Sequence, residues 1–217
     1  MARTAPAVSP GKPPPAGGSP RFVIAAAVLA GLVILGAGVF LALEMRDNPR
    51  GAGGTVLASA IGGPFQLTDQ NGKTVTDADL KGKWSLIYFG YTHCPDACPT
   101  ALNNIALALQ DLGAKRDEVR PVFITIDPAR DTSRVMKDYV TAFDAPILAL
   151  TGPPAAIAEA AKNYRVYYAK HPEAGGDYSM DHTSLIYVMD PKGRFTASFT
   201  GEDPPEQMAE RLKKLLS

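Results

Sequence analysis

The chain has 217 residues, with 22 basic and 22 acidic side chains giving a formal net charge of zero. Before residue 44 the only charges are Arg3, Lys12 and Arg21, so the remainder is slightly acidic. That balance excludes a polyanion-binding surface and predicts no nucleic-acid partner, and the length suits one ordinary domain with accessory sequence.

Residues 1–21 are rich in Pro, Ala, Gly and Ser, lack an apolar period, and read as a disordered cytoplasmic tail. From Phe22 to Leu43 the chain is apolar and uncharged. As a helix this run reaches about 33 Å, enough to cross a hydrocarbon core of roughly 30 Å. It is longer than a secretory apolar region and has no small-x-small cleavage site at its end, so it is expected to be an uncleaved transmembrane helix. Arg3, Lys12 and Arg21 before it outweigh Arg46 and Arg50 after it. The positive-inside tendency therefore predicts a cytoplasmic N-terminus and a C-terminal part beyond the membrane. The expected setting is a bacterial inner membrane facing the periplasm, or else a mitochondrial inner membrane facing the intermembrane space. Residues 44–60 read as a flexible stalk.

Residues 61–217 are expected to form one domain. Phe65 to Thr68 and Thr74 to Thr76 flank Asn71-Gly72 and predict a β-hairpin. Trp84 to Gly90 (WSLIYFG) is almost wholly apolar, as a central strand buried on both faces should be. Pro95 to Leu112 repeats Leu102, Ile105, Leu109 and Leu112 at helical spacing, and Arg120 to Ile126 predicts a second buried strand. A helix capped by Asp131 or Thr132 runs to about Phe143, followed by a short strand at Ile147 to Leu150 and a helix from Pro154 to Tyr164. Thr183 to Met189 and Phe195 to Phe199 read as paired strands, and Pro205 to Leu216 as a closing helix. The order is β-α-β followed by β-β-α, which describes an α/β, thioredoxin-like domain with an N-terminal β-hairpin extension.

The two cysteines of the chain, Cys94 and Cys98, fall in one C-x-x-x-C window between a buried strand and the opening turn of a helix. So short a separation closes almost no loop, which argues against a structural disulfide. Spacing of i to i+4 lets both sulfurs face one point, and the positive end of the helix favours thiolate. Two chemistries fit: thiol–disulfide exchange, or capture of a soft metal by two thiolates. Two thiolates are too few for a closed zinc site, which wants four ligands, so a third ligand is the next thing to seek.

There are three histidines. His171 sits in a polar stretch and receives no role. His93 adjoins Cys94, where neighbouring side chains diverge. His182 stands immediately before the strand that ends at Met189, whose start should approach the cysteine motif. Asp181 is expected to orient its imidazole by accepting the second ring N–H.

With these residues in view, Tyr88-Phe89-Gly90-Tyr91-Thr92-His93-Cys94-Pro95-Asp96-Ala97-Cys98-Pro99 resembles the F-G-[YF]-T-x-C-P-D-x-C-P element of the Sco/SenC family. Asp127-Pro128-Ala129-Arg130-Asp131-Thr132 resembles its D-P-x-R-D-T segment, and Asp181-His182-Thr183 its D-H-[ST] element. The resemblance implies a thioredoxin-like copper metallochaperone that helps assemble the dinuclear copper centre of cytochrome c oxidase. It implies Cys94, Cys98 and His182 as ligands of Cu(I), Cu(II) or both, and the copper-bearing oxidase subunit as partner, with other copper chaperones or thiol reductants as further partners. Asp127, Arg130 and Asp131 are expected to cap the following helix and stabilise their loop. The alternative is a membrane-tethered thiol–disulfide oxidoreductase in which Cys94 and Cys98 form a redox-active disulfide. A peroxidase of the peroxiredoxin type fits poorly, because it wants a single activated cysteine and a distant resolving partner.

Overall fold

A computed structural model describes residues 61–217. The expected tail, membrane span and stalk lie outside the described residues, and among those described no helix is long and apolar enough to cross a membrane.

The expected hairpin is present: β1 (Gln66–Asp69) pairs antiparallel with β2 (Thr74–Thr76) across Asn71-Gly72. Gly72 takes a positive φ of 84°, the conformation that such a turn requires and that a side chain disfavours. The apolar run becomes β3 (Trp84–Gly90), in which residues 85–90 are all buried. Helix α1 (Ala97–Asp111) leads from it to β4 (Val119–Thr125), α2 (Ser133–Val140), β5 (Leu148–Thr151) and α3 (Pro154–Asn163). Thr132 is the N-cap of α2, its hydroxyl accepting from the Val135 N–H at 3.4 Å. Helix α1 opens two residues later than expected because Asp96 has non-helical torsions (φ −144°, ψ −61°), which leaves Pro95 in the preceding turn.

Between α3 and the late strands lies an element that the residue pattern did not predict. β6 (Tyr168–Pro172) and β7 (Tyr178–His182) form a separate antiparallel two-stranded sheet. Its tip bends through Gly175 and Gly176, both at positive φ. After it come β8 (Leu185–Met189), β9 (Phe195–Thr200) and α4 (Pro205–Leu215).

The main sheet has seven strands in the order β2-β1-β5-β4-β3-β8-β9. β3, β4 and β5 run parallel, and β8 joins β3 antiparallel with Tyr88 opposite Ile186. Successive side chains of β3 point to opposite faces. Tyr88 thus stacks with Phe123 at 6.2 Å, and Phe123 meets Tyr139 of α2, while Phe89 on the other face meets Tyr164 and Tyr187. Burying such aromatic side chains stabilises the fold by roughly 1.5–3 kcal/mol each. The parallel arrangement leaves the carboxyl ends of β3 and β4 at one edge of the core, with the amino end of β8 beside them. The cysteine motif, the Asp127–Thr132 loop and His182 all follow or precede those ends.

Candidate metal centre

The thiol half of the site grows out of the β3–α1 junction. Cys98, in the first turn of α1, is fully buried, and Cys94 in the turn before it is half-buried. The Cys98 backbone N–H donates to the Cys94 sulfur at 3.3 Å, so the free amides of the helix start are spent on that sulfur. Gly90 makes room for the arrangement. A Cβ there would come within 2.7 Å of Cys98 Sγ and 3.0 Å of the Phe123 ring. Tyr88 sends its hydroxyl toward Cys98 Sγ at 3.8 Å and lies 3.3 Å from Ser184 Oγ.

The third group arrives from β7. His182 Nε2 is 3.5 Å from Cys98 Sγ. The sulfurs of Cys94 and Cys98 and a ring nitrogen of His182 all lie within 4.8 Å of one another. His182 Nδ1 is 3.1 Å from the Thr183 carbonyl oxygen. A carbonyl only accepts, so Nδ1 carries the proton and Nε2 turns its lone pair to the sulfurs. The rings of Tyr88 and Tyr91 meet the imidazole edge-on at 5.9 and 6.1 Å.

Asp181 does not orient the imidazole. Its carboxylate pairs with His171 Nε2 at 2.8 Å, across the register of the hairpin, with both side chains more than half exposed. Alternation along β7 explains this: residues 181 and 182 point to opposite faces of the hairpin, so the carboxylate cannot reach the ring beside it. The backbone carbonyl of Thr183 takes the role instead.

The two thiols are electrostatically unequal. Cys94 is held well below the ordinary thiol range, first by its hydrogen bond with Cys98 and then by the backbone N–H groups of Cys98 and Asp96, against the opposing effect of burial. Cys98 is pushed up by the same hydrogen bond and by burial. The pair therefore shares one proton, kept on Cys98, with the charge on Cys94. Burial, and after it the neighbouring cysteine pair, push Tyr88 above the normal phenol range.

The Asp127–Thr132 loop supports both halves. Asp131, fully buried, accepts from the Thr92 N–H at 3.1 Å and from the hydroxyls of Thr92 and Thr125 at 2.5 and 2.6 Å. Its backbone carbonyl accepts from Thr151 at 2.7 Å. Asp131 is thus a clamp on the turn before Cys94 rather than the cap of α2. His93 turns to this clamp: its Nδ1 is 3.1 Å from Thr92 Oγ1 and 3.9 Å from Asp131 Oδ1. Tyr88, Tyr91, Gly90 and Thr92 were not singled out from the residue pattern. The alternation of β3 carried a usable signal for two of them, since residues 88 and 90 share the face on which α1 packs.

Two sulfurs, one already charged, and an imidazole nitrogen close together match the requirements of a soft or borderline metal ion. A model of the SCO1/SenC family matches residues 54–217. The mitochondrial SCO1 homolog 1 of Arabidopsis thaliana is 45% identical over 138 residues, 63% of this chain and 41% of that protein. The chain thus spans less than half the length of that relative. The solved structure of Bradyrhizobium japonicum ScoI with copper bound is 55% identical with a TM-score of 0.68, and the match covers 71% of this chain and 99% of that one. A second structure, of BsSco, described as a member of the Sco family of cytochrome c oxidase assembly proteins with a disulfide switch, is 26% identical with a TM-score of 0.58. There the match covers 72% of this chain and 93% of the other.

Proposed function

The chain belongs to the SCO1/SenC family, and from that premise we propose that it is a membrane-anchored metallochaperone that holds copper on Cys94, Cys98 and His182 and delivers it to the dinuclear copper site of cytochrome c oxidase. The observation that carries this reading is the convergence of two sulfurs and one imidazole nitrogen within 4.8 Å. Thiolates suit Cu(I), and an imidazole whose proton is committed to Nδ1 adds the borderline donor that Cu(II) accepts. Copper is cargo here, so release matters as much as capture. Cys94 and His182 are partly open to solvent, whereas Cys98 is buried. An acceptor's ligands would therefore displace the outer two donors first, leaving Cys98 as the last bond to break. The proposed acceptor is the copper-bearing subunit of the oxidase, with other copper chaperones or thiol reductants supplying the metal or the reduced pair.

In this reading residues 1–21 are the cytoplasmic tail, 22–43 the transmembrane helix, 44–60 the stalk, and 61–217 the copper-carrying domain on the far side. The primary reading is a bacterial inner membrane with this domain in the periplasm, and the bacterial source of the ScoI structure supports a bacterial setting. The mitochondrial address of the Arabidopsis relative supports the mitochondrial alternative.

The test is copper stoichiometry with Cu(I) and Cu(II) competition titrations and visible spectra, on wild type, Cys98→Ala and His182→Ala. One copper per chain is expected. Cys98→Ala should lose both oxidation states and His182→Ala chiefly Cu(II). Retention of full affinity for both states in His182→Ala would sink the three-ligand site.

A second reading is a thiol–disulfide oxidoreductase acting on partner cysteines, favoured by the charged, half-exposed Cys94 beside the protonated Cys98. Cys94 would attack a partner disulfide and Cys98 resolve the mixed disulfide, leaving a Cys94–Cys98 disulfide and a reduced partner. It requires both cysteines and is indifferent to His182. A redox titration of the pair separates it from the first reading.

A further inference from the structure

The β6–β7 hairpin pairs with no strand of the main sheet, yet it carries His182. Met180 anchors it in the core, and the polar contacts that fix its position converge on Arg130. The Arg130 Nε donates to Asp127 Oδ2 at 2.5 Å, and Nη1 donates both to Asp177 Oδ1 and to the Tyr178 carbonyl at 3.0 Å. The guanidinium carbon lies 3.6 Å from the centroid of the Tyr178 ring. Lys170 Nζ lies 3.3 Å from the same centroid, too close to share a face with the guanidinium, so the ring is held between two cations. The Tyr178 hydroxyl closes the loop by donating to Asp127 Oδ1 at 2.8 Å. Arg130 Nη2 is buried without a hydrogen-bond partner among the described residues, a cost that the stack and the ion pairs must offset.

From this cluster two routes lead to the imidazole. Tyr178 starts the strand that ends at His182. Tyr91, whose ring centroid is 5.9 Å from the guanidinium carbon, accepts from the Met180 N–H at 3.4 Å and packs edge-on against His182. The same loop, through Asp131, clamps Thr92 two residues before Cys94.

We propose that Arg130, with Asp127 and Tyr178, is a positioning latch that fixes the hairpin and thereby sets the reach of His182 to the two sulfurs. The inference deepens the reading of Cys94, Cys98 and His182 as a metal site and rests on it. With the latch intact the imidazole stands ready beside the thiols. With it broken the thiols remain in place while the imidazole is presented only part of the time. The consequence differs between oxidation states: Cu(I) is satisfied by two sulfurs, and Cu(II) depends on the imidazole.

The experiment uses the full chain as wild type, Arg130→Gln and the milder Tyr178→Phe, which removes only the hydroxyl bond to Asp127. In the metal-free protein, amide hydrogen exchange at residues 178–182 should speed up about tenfold in Arg130→Gln, with β3 and β4 unchanged. Tyr178→Phe should move in the same direction by less. With copper, the Cu(II) dissociation constant should rise about tenfold in Arg130→Gln while that of Cu(I) stays within about twofold. In a His182→Ala background the same substitution should add no further loss. Unchanged exchange in both variants would overturn the latch, as would equal losses for both copper states or an undiminished Cu(II) loss in the His182→Ala background. If wild type took up no copper in either state, the metal-site reading would fail, and the exchange data alone would still decide whether the latch exists.

Discussion

The two halves of the candidate site are built from different material. The thiol half is part of the core: Cys98 is wholly buried, Tyr88 lies against its sulfur, and an added methyl at Gly90 would collide with that sulfur and with the Phe123 ring. The imidazole half stands on a two-stranded sheet outside the main one, and residues 170–177 of that hairpin are all exposed. Regions with few buried contacts open at lower free energy than core strands. Under the proposed carrier role, this places two ligands where packing fixes them and a third on an element that can shift without disturbing the fold.

That contrast can be broken most directly at Gly90. Gly90→Val would drive its side chain into Cys98 Sγ and the Phe123 ring, and overpacking of this kind costs about 3 kcal/mol. Denaturant unfolding of the metal-free protein measures it. A variant as stable as wild type would mean that the thiol half is not the rigid one. Asp131→Asn comes next. It places an amide where a buried carboxylate accepts from one N–H and two hydroxyls, for a loss of about 2 kcal/mol in the same assay. Since Thr92 is released, the reactivity of Cys94 toward alkylating agents should change with it.

His182→Ala should show the opposite balance. Its stability should stay within about 1 kcal/mol of wild type, because the ring is only partly buried and stands on a hairpin outside the main sheet. Its Cu(II) affinity should fall by about tenfold or more. A large drop in stability would show that the hairpin is core after all.

The same division governs what could be read from the residues alone. β3 and α1 announce themselves through an unbroken apolar run and a three-four period, because both are shaped by burial, and burial dictates residue type. Cys94 and Cys98 were legible for that reason as a pair on one helix start. The hairpin is shaped by Arg130, Tyr178 and Lys170 through charge and stacking across long sequence separations. Its own segment, Tyr168 to His182, alternates too weakly between apolar and polar to declare a strand. His182 was located by its place before β8 and by the family resemblance, whereas the residues that hold it were not. Asp181 was misassigned for a related reason: adjacency along the chain says nothing about which face of a strand a side chain takes.

The charge on Cys94 offers a subtler contrast within the thiol half. Its lowered pKa, caused chiefly by Cys98, means that its thiolate contributes stability that is complete above the ordinary thiol value of about 8.5 and declines as pH falls toward the folded-state value. Across neutral and mildly acidic pH the folded protein thus keeps Cys94 reactive while an ordinary thiol would protonate. The iodoacetamide labelling rate of Cys94 should therefore stay nearly flat between about pH 5 and 8, with Cys98 inert. A rate that falls tenfold per unit across that range would remove the shared-proton picture.

The smallest effect is expected where the residue pattern had placed a large one. Asp181 adjoins the imidazole in the chain, but its carboxylate points away, to His171 at 2.8 Å, with 69% of the side chain exposed. An exposed pair of this kind contributes about 0–1 kcal/mol. The ring proton of His182 goes instead to the Thr183 carbonyl, which no side-chain substitution removes. Asp181→Asn should therefore leave Cu(II) affinity within about twofold of wild type and the visible spectrum unchanged, while Tyr178→Phe, farther along the strand, weakens it more. The two variants in one titration make the comparison sharp. If Asp181→Asn proved the more damaging, the tautomer of His182 would be set from its own hairpin. Arg130 would then have less to hold, and the imidazole half would answer to its neighbours in sequence before its neighbours in space.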